Sequence, residues 1–290
     1  MGGLVVAGVD GSTSSLAAVE VAAREAQSRG VGLRLVHAYL WPAMALPLGA
    51  PAMGPSEGGL REVAVRVVDE ARERATAVAP EVQVSRTVVT GDPLTVLESQ
   101  SRLADLVVVG SRGMGGFVGL MVGSTAVHLT ARAQCPVLVV REPGDEAGAV
   151  VLGVDGSGAA ARAVDFAFTE AALRGAGVRA VHCWTTWNAP TPPPRDVSMP
   201  YANEPGALAA SAERLLSQAL AGRQERFPDV AVERQVVHGG TREALIEASR
   251  TARLLVVGAR GRGGFTGLLL GSVSQAMLHH AHCPVAVVRG

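Results

Sequence analysis

The chain is predicted to be an α/β protein built from two tandem copies of one domain, each a parallel sheet covered by helices on both faces. Three observations lead there. Gly8-Val9-Asp10-Gly11-Ser12 returns as Gly153-Val154-Asp155-Gly156-Ser157, and Val109-Gly110-Ser111-Arg112-Gly113 returns as Val257-Gly258-Ala259-Arg260-Gly261. Residues 104–141 align with 252–289 without a gap at 21 identities in 38 positions, so one unit has been duplicated. Within each copy, short β-branched apolar runs alternate with Ala-rich stretches of helical period, the pattern of βαβ units with strands buried on both sides. A length of 290 residues suits a pair of domains. Hydrophobic residues make up 48% and aromatic ones 3%, so the core must be built from Ala, Val and Leu.

In the first copy a strand at 4–9 opens the domain. A helix over about 14–29 follows, and Gly30 ends it as a C′ glycine. A second strand covers 32–38. After it comes 41–59, matched in the second copy by 187–206; both are rich in Pro, Met and Ala and exceed the usual connection length. Each is read either as a long crossover loop or as a lid or partner surface, since Met44, Leu46, Leu48 and Met53 would otherwise be exposed. The third strand is placed at 82–89. Asp92-Pro93 then starts a helix as N-cap and N1 proline, a place Thr241 takes in the second copy. A fourth strand at 106–110 leads to a glycine-rich turn, and the last helix starts after Gly123-Ser124, or Gly271-Ser272. Cys135-Pro136 and Cys283-Pro284 introduce the final strands, the first of them at 137–141. Glu142-Pro143-Gly144-Asp145-Glu146-Ala147-Gly148 reads as a short polar linker, giving domains at 1–142 and 149–290.

Composition excludes several functions. Basic and acidic residues each number 26, so no net field holds a nucleic acid or an anionic membrane. Every basic residue is arginine, which removes P-loop, Schiff-base and pyridoxal-phosphate lysines together. The cysteines 135, 183 and 283 lie far apart in an odd set and read as reduced thiols packed as small hydrophobes. Neither a signal sequence nor a membrane span is apparent, so a soluble, cytoplasmic protein is expected.

The chemistry gathers where ligands bind in open parallel sheets, beyond the carboxyl ends of the strands. The spacing Gly110-x2-Gly113-x9-Gly123-Ser124 is repeated as Gly258-x2-Gly261-x9-Gly271-Ser272, with Gly115-Gly116 and Gly263-Gly264 inside the loops. Glycines let backbone amides approach phosphate oxygens, and the following helix offers unpaired N–H groups, so each copy carries an anion site. Arg112 and Arg260, at equal positions, are candidates to supply a cation beside the helix dipole. Asp10 and Asp155 end the first strands, either as ordinary N-caps or as carboxylates contacting a base, a ribose or a phosphate-bound metal. His37 and His182 end the second strands and either line a base pocket or serve structure. His279-His280-Ala281-His282-Cys283 looks like a metal tract, but the first copy has Ala131-Arg132-Ala133-Gln134-Cys135 there, so it is read as a solvated helix end.

Together the Gly-Val-Asp-Gly-Ser strand end, the Gly-x2-Gly-x9-Gly-Ser loop and the Cys-Pro-Val strand resemble the universal stress protein family over essentially the whole chain. The resemblance implies a Rossmann-like, adenine nucleotide alpha hydrolase-like domain in each half, five-stranded in the order 3-2-1-4-5, with ATP and Mg2+ at the carboxyl edge. It sets Val9 and Asp10 near adenosine, Val36 and His37 against the base, and Val109, Gly110, Arg112, Gly113, Gly123, Ser124 and Thr125 around ribose and phosphates. In the second half the matching positions are Val154, Asp155, Val181, His182, Val257, Gly258, Arg260, Gly261, Gly271, Ser272, Val273 and Ser274. Family members often keep a second hydroxyl where the first half has Ala126 and the second Ser274, so the first site is expected to hold phosphate more weakly, by about 0.5–1.5 kcal/mol. The resemblance also implies that the last strands of the two halves pair within the chain, with further dimerisation left open.

Three functions compete at this point. The leading one is a nucleotide-responsive regulator of stress with an unidentified protein partner and no catalytic residues. The second is a slow ATPase or adenylate-forming transferase, for which Asp10 and Asp155 are the only duplicated carboxylates at the edge. The third is an interaction scaffold with structural nucleotide. A dehydrogenase fits poorly, because the glycine loop follows the fourth strand rather than the first.

Overall fold

The computed structural model describes residues 3–39, 57–113, 122–158, 160–185, 206–261 and 270–290. The chain divides into two compact units, Met1–Val140 and Arg141–Gly290. In the first, the order is β1 (Leu4–Gly8), α1 (Thr13–Arg29), β2 (Gly32–Tyr39), α2 (Glu57–Val78), β3 (Val84–Thr90), α3 (Pro93–Gln100), β4 (Leu106–Gly110), α4 (Ser124–Arg132) and β5 (Val137–Val140). All neighbouring strands are parallel and run β3-β2-β1-β4-β5 across the sheet, the order expected. The second unit repeats this as β6 (Ala149–Gly153), α5 (Ala160–Arg174), β7 (Val178–Trp184), α6 (Ala207–Leu220), α7 (Arg223–Arg226), β8 (Val232–His238), α8 (Thr241–Ala248), β9 (Ala252–Gly258), α9 (Ser272–His280) and β10 (Val285–Val288). Its strands run β8-β7-β6-β9-β10, again parallel.

The central strands have almost no exposed side chains: Val5, Val6, Leu106, Val107, Val108, Val150, Val151, Leu255 and Val256 are fully buried. Small residues let helices approach this sheet closely. In α1, Ala18, Val19, Ala22, Ala23 and Ala26 form the buried stripe, and Ser12 caps its start by accepting from the Ser15 amide. Gly30 closes it in the left-handed conformation, φ 64°, as the sequence suggested. Where full burial on both faces was expected of every strand, β3 and β8 depart from it. They are sheet edges, with Ser85, Arg86, Glu233 and Arg234 exposed, and Arg86 and Arg179 pair there with Asp69 and Glu233.

Each helix can be assigned to one face of the sheet. A Cβ on Gly8 would stand 3.0 Å from Leu97 of α3, and one on Gly153 would stand 3.1 Å from Leu245 of α8. The even-numbered side of β1 therefore faces α3, which packs beside α4, while α1 packs beside α2 on the opposite face. A matching division in the second unit puts α8 and α9 together.

Two boundaries move from their expected places. Glu57 begins α2 and Gly206 caps α6, so the ends of 41–59 and 187–206 belong to helices. The remainder of those segments, with Met44, Leu46, Leu48 and Met53, lies outside the described residues, as do Gly115-Gly116 and Gly263-Gly264. The polar stretch after Glu142 is docked rather than loose. The Asp145 amide donates to Ala252 O at 3.1 Å, and the Asp145 carboxylate accepts from the Ala147 amide. A Cβ on Gly144 would lie 2.2 Å from Arg253 O, so only glycine fits this approach to β9.

Candidate functional site

β1 and β4 are neighbours whose following helices, α1 and α4, lie on opposite faces, so a crevice opens between their carboxyl ends. Asp10 stands at this point. Its Oδ1 accepts from the Ser12 amide at 3.0 Å and from the Ser12 hydroxyl at 2.6 Å, an Asx turn that sets up Ser12 as the cap of α1. The N-cap reading of Asp10 is thus corrected: the cap is Ser12, two residues on. In the second unit Asp155 accepts likewise from the Ser157 amide and hydroxyl at 2.9 and 2.8 Å.

The other oxygen faces the glycine turn. A Cβ on Gly113 would lie 2.5 Å from Asp10 Oδ2, and one on Gly261 would lie 2.7 Å from Asp155 Oδ2. Any side chain there would displace the carboxylate. Glycine at both positions leaves the carboxylate where Ser12 or Ser157 holds it.

Past the turn, the Gly123 amide donates to Ser111 O at 2.8 Å and the Gly271 amide to Ala259 O at 2.8 Å, which brings the helix starts back to the strand ends. Gly123 and Gly271 are extended N-caps without a side-chain bond to the helix. Since neither cap has a side-chain oxygen to offer, no cap bond among the described residues takes the first amides of α4 and α9, and these are available to solvent or to an anion. Ser124 and Ser272 are exposed at N1, Thr125 and Val273 are half-buried at N2, and Arg112 and Arg260 are exposed on the turns. The structure therefore brings together Asp10, Gly110, Arg112, Gly113, Gly123, Ser124 and Thr125 at one edge, and their counterparts at the other. Val9, Val109, Val154 and Val257, which immediately precede these residues, are buried.

Three of the expected contact residues make hydrogen bonds within the fold. Ser274 is 2% exposed and donates to Gly258 O at 2.7 Å and to Ala259 O at 3.2 Å, so its hydroxyl braces the turn from behind. His37 and His182 each hold a strand-one carbonyl, with Nδ1 2.7 Å from Val9 O and from Val154 O. Val36 pairs with Gly8, and so shares the α3 face; His37, the next residue, points to the α1 and α2 face. Within the strand the two side chains therefore leave on opposite faces of the sheet. The side chains that share the Val36 face at the strand end are Ala38 and, in the second unit, Cys183. Strand alternation alone would have found them.

Burial pushes the thiols of Cys135 and Cys283 up to about 12 and raises Cys183 as well, which fits packing groups rather than nucleophiles. Among the described residues no three metal-ligating side chains gather, and no helix is long and apolar enough to cross a membrane.

The family model described as "Universal stress protein family" matches residues 3–141 and again 147–289. A universal stress protein of Mycobacterium tuberculosis strain H37Rv is 38% identical over 295 residues, covering 98% of this chain and 96% of the relative. A second one from that strain is 35% identical over 296 residues at the same coverages. Among solved structures, a universal stress protein from Archaeoglobus fulgidus DSM 4304 superposes with TM-score 0.69 at 18% identity, covering 98% of this chain and 97% of that one.

Proposed function

The chain belongs to the universal stress protein family, and on that premise we propose that each of its domains binds ATP at the carboxyl edge of its sheet and acts in the cytoplasm as a nucleotide-responsive regulator. One observation carries this reading: in both copies a helix N-terminus without a side-chain cap meets a strand end across a turn whose glycine touches a carboxylate. Backbone amides supply attraction for a phosphate chain without a lysine, each aligned helix end contributing about 0.3–1 kcal/mol per anionic group. Arg112 and Arg260 stand on the turns to add a full charge.

Mg2+ fits the donor set, because Asp10 and Asp155 offer the hard carboxylate oxygen that this ion takes alongside phosphate oxygens. Bound there, the metal would neutralise phosphate charge and spare those carboxylates direct repulsion. Ser12 and Ser157 hold each carboxylate in place from the opposite side.

Equilibrium titration of the purified chain with Mg-ATP tests the reading. Binding is expected for the wild type, with loss on combining Gly113→Val and Gly261→Val. Failure of the wild type to bind, with the double variant giving the same blank trace, removes the nucleotide from the function and leaves only the fold.

A further inference from the structure

The two glycine turns are braced by different hydroxyls, in a swap visible in the sequence and explained by the structure. The first domain has Ser14 and Ala126; at the matching positions the second has Ala159 and Ser274. Each domain keeps one of two hydroxyls, and the two helices have traded it.

The hydroxyls do opposite things to the turn. Ser14, in the first turn of α1, lies over the end of β4, where a Cβ on Gly110 would meet its Oγ at 2.6 Å. That Oγ accepts from the Arg112 amide at 3.3 Å, so it engages an N–H of the turn. Ser274, in the first turn of α9, donates to Gly258 O and Ala259 O and engages carbonyls instead. Among the described residues nothing bonds the Arg260 amide, and Ala159 has no hydroxyl to do so.

For an anion these differences act in the same direction. An amide attracts phosphate and a carbonyl oxygen repels it. The first turn has an amide committed to Ser14 and an alanine, Ala126, where the second domain has Ser274; Ser12 Oγ reaches its Arg112 carbonyl, at 3.3 Å, but not the Gly110 carbonyl that matches Gly258 O. In the second, no described residue bonds that amide, and the Ser274 hydroxyl covers Gly258 O and, at longer range, Ala259 O. Resting on the nucleotide reading above, we propose that the two sites are unequal by construction: the second domain fills first, the first domain fills at higher nucleotide concentration, and Ser14 and Ser274 are the positioning residues that set the gap. Neither hydroxyl has to touch the ligand. Ser274 acts through the turn, where the sequence suggested a direct phosphate contact.

Ser14 and Ser274 each account for about one hydrogen bond's worth of difference between the turns, so the affinities should differ by about tenfold. Calorimetric titration of the full chain with Mg-ATP and, separately, adenosine reads this gap. Two classes of ATP site are expected, with Gly261→Val removing the tighter and Gly113→Val the weaker. Ser14→Ala should tighten the weaker class about threefold; Ser274→Ala should loosen the tighter one by a similar factor and Ser274→Thr restore it. Adenosine affinity should stay unchanged in all three, because a merely structural loss would weaken both ligands together. Equal classes, a tighter first domain, or equal changes with adenosine overturn the inference while nucleotide binding stands. No binding by the wild type removes both.

Discussion

At the scale of single residues, the sheet's alternation decides which side chains serve the edge and which serve the frame. His37 and His182 repeat the same bond to the carbonyl of the last residue before the aspartate, and their rings turn to the α1–α2 or α5–α6 side. His182 is buried, and its Nε2 has no partner among the described residues. Replacing either histidine with leucine leaves Val9 O or Val154 O without its donor, at an expected cost of about 1–2 kcal/mol in chemical denaturation. Nucleotide affinity should be unaffected. By contrast Ala38→Phe, on the Val36 face, should lower affinity in the first domain by tenfold or more with little change in stability. Titration with Mg-ATP that weakens for His37→Leu and not for Ala38→Phe would reverse the assignment of faces. The repeat and the glycine spacing made the turn, Asp10 and Asp155 legible in the sequence. The faces were not, because a resemblance names neighbouring positions together while a strand sends them to opposite sides.

Elements show how a local signal is read well in one copy and less well in the other. Asp92 caps α3 by accepting from the Thr95 amide and hydroxyl, both at 2.9 Å, with Pro93 at N1, as its sequence foretold. The second copy has Gly240 as cap and Thr241 at N1, so the hydroxyl read as a counterpart sits one position too late to cap α8. Hydrogen bonding from Thr95, backbone first and then side chain, holds the Asp92 carboxyl below the ordinary carboxylate range. A depressed native value means that the cap stabilises above the unfolded-state range, and that its contribution fades as pH falls through the lowered native value. Asp92→Ala should therefore cost about 1 kcal/mol at pH 7 in urea melts. The penalty should shrink toward zero in acid, where the wild-type cap is protonated too. A penalty that stays constant from pH 7 down to pH 2 would show that Asp92 acts through packing rather than charge. Alternation of strands and helices made the parallel sheet legible, while the strand order came only with the family resemblance. Exposure at β3 and β8 was hidden, because an apolar run does not reveal whether a neighbour lies on both sides.

On the scale of the whole molecule, the duplicated domain is joined by a segment whose allegiance is unequal. The stretch from Pro143 to Gly148 reads in the sequence as spacer, being short, polar and rich in turn formers. In the structure it belongs to the second unit. Asp145 bonds Ala252, Gly148 donates to Asp145 O at 2.9 Å, and Gly144 and Gly148 press their α-carbons against the backbone of residues 251–253. The strap thus covers the amino end of β9, at the opposite end of the strand from the glycine turn. What selected the glycines is contact with a distant backbone, which composition does not distinguish from flexibility. Gly144→Val would push a Cβ into Arg253 O and detach the strap. The full chain carrying it should lose about 2 kcal/mol in the unfolding of the second unit, with proteolysis newly admitted at 143–148. Nucleotide binding by the first domain should stay as in the wild type. If Gly144→Val leaves both unfolding and protease resistance unchanged, the segment is a linker after all, and each domain is stable without it.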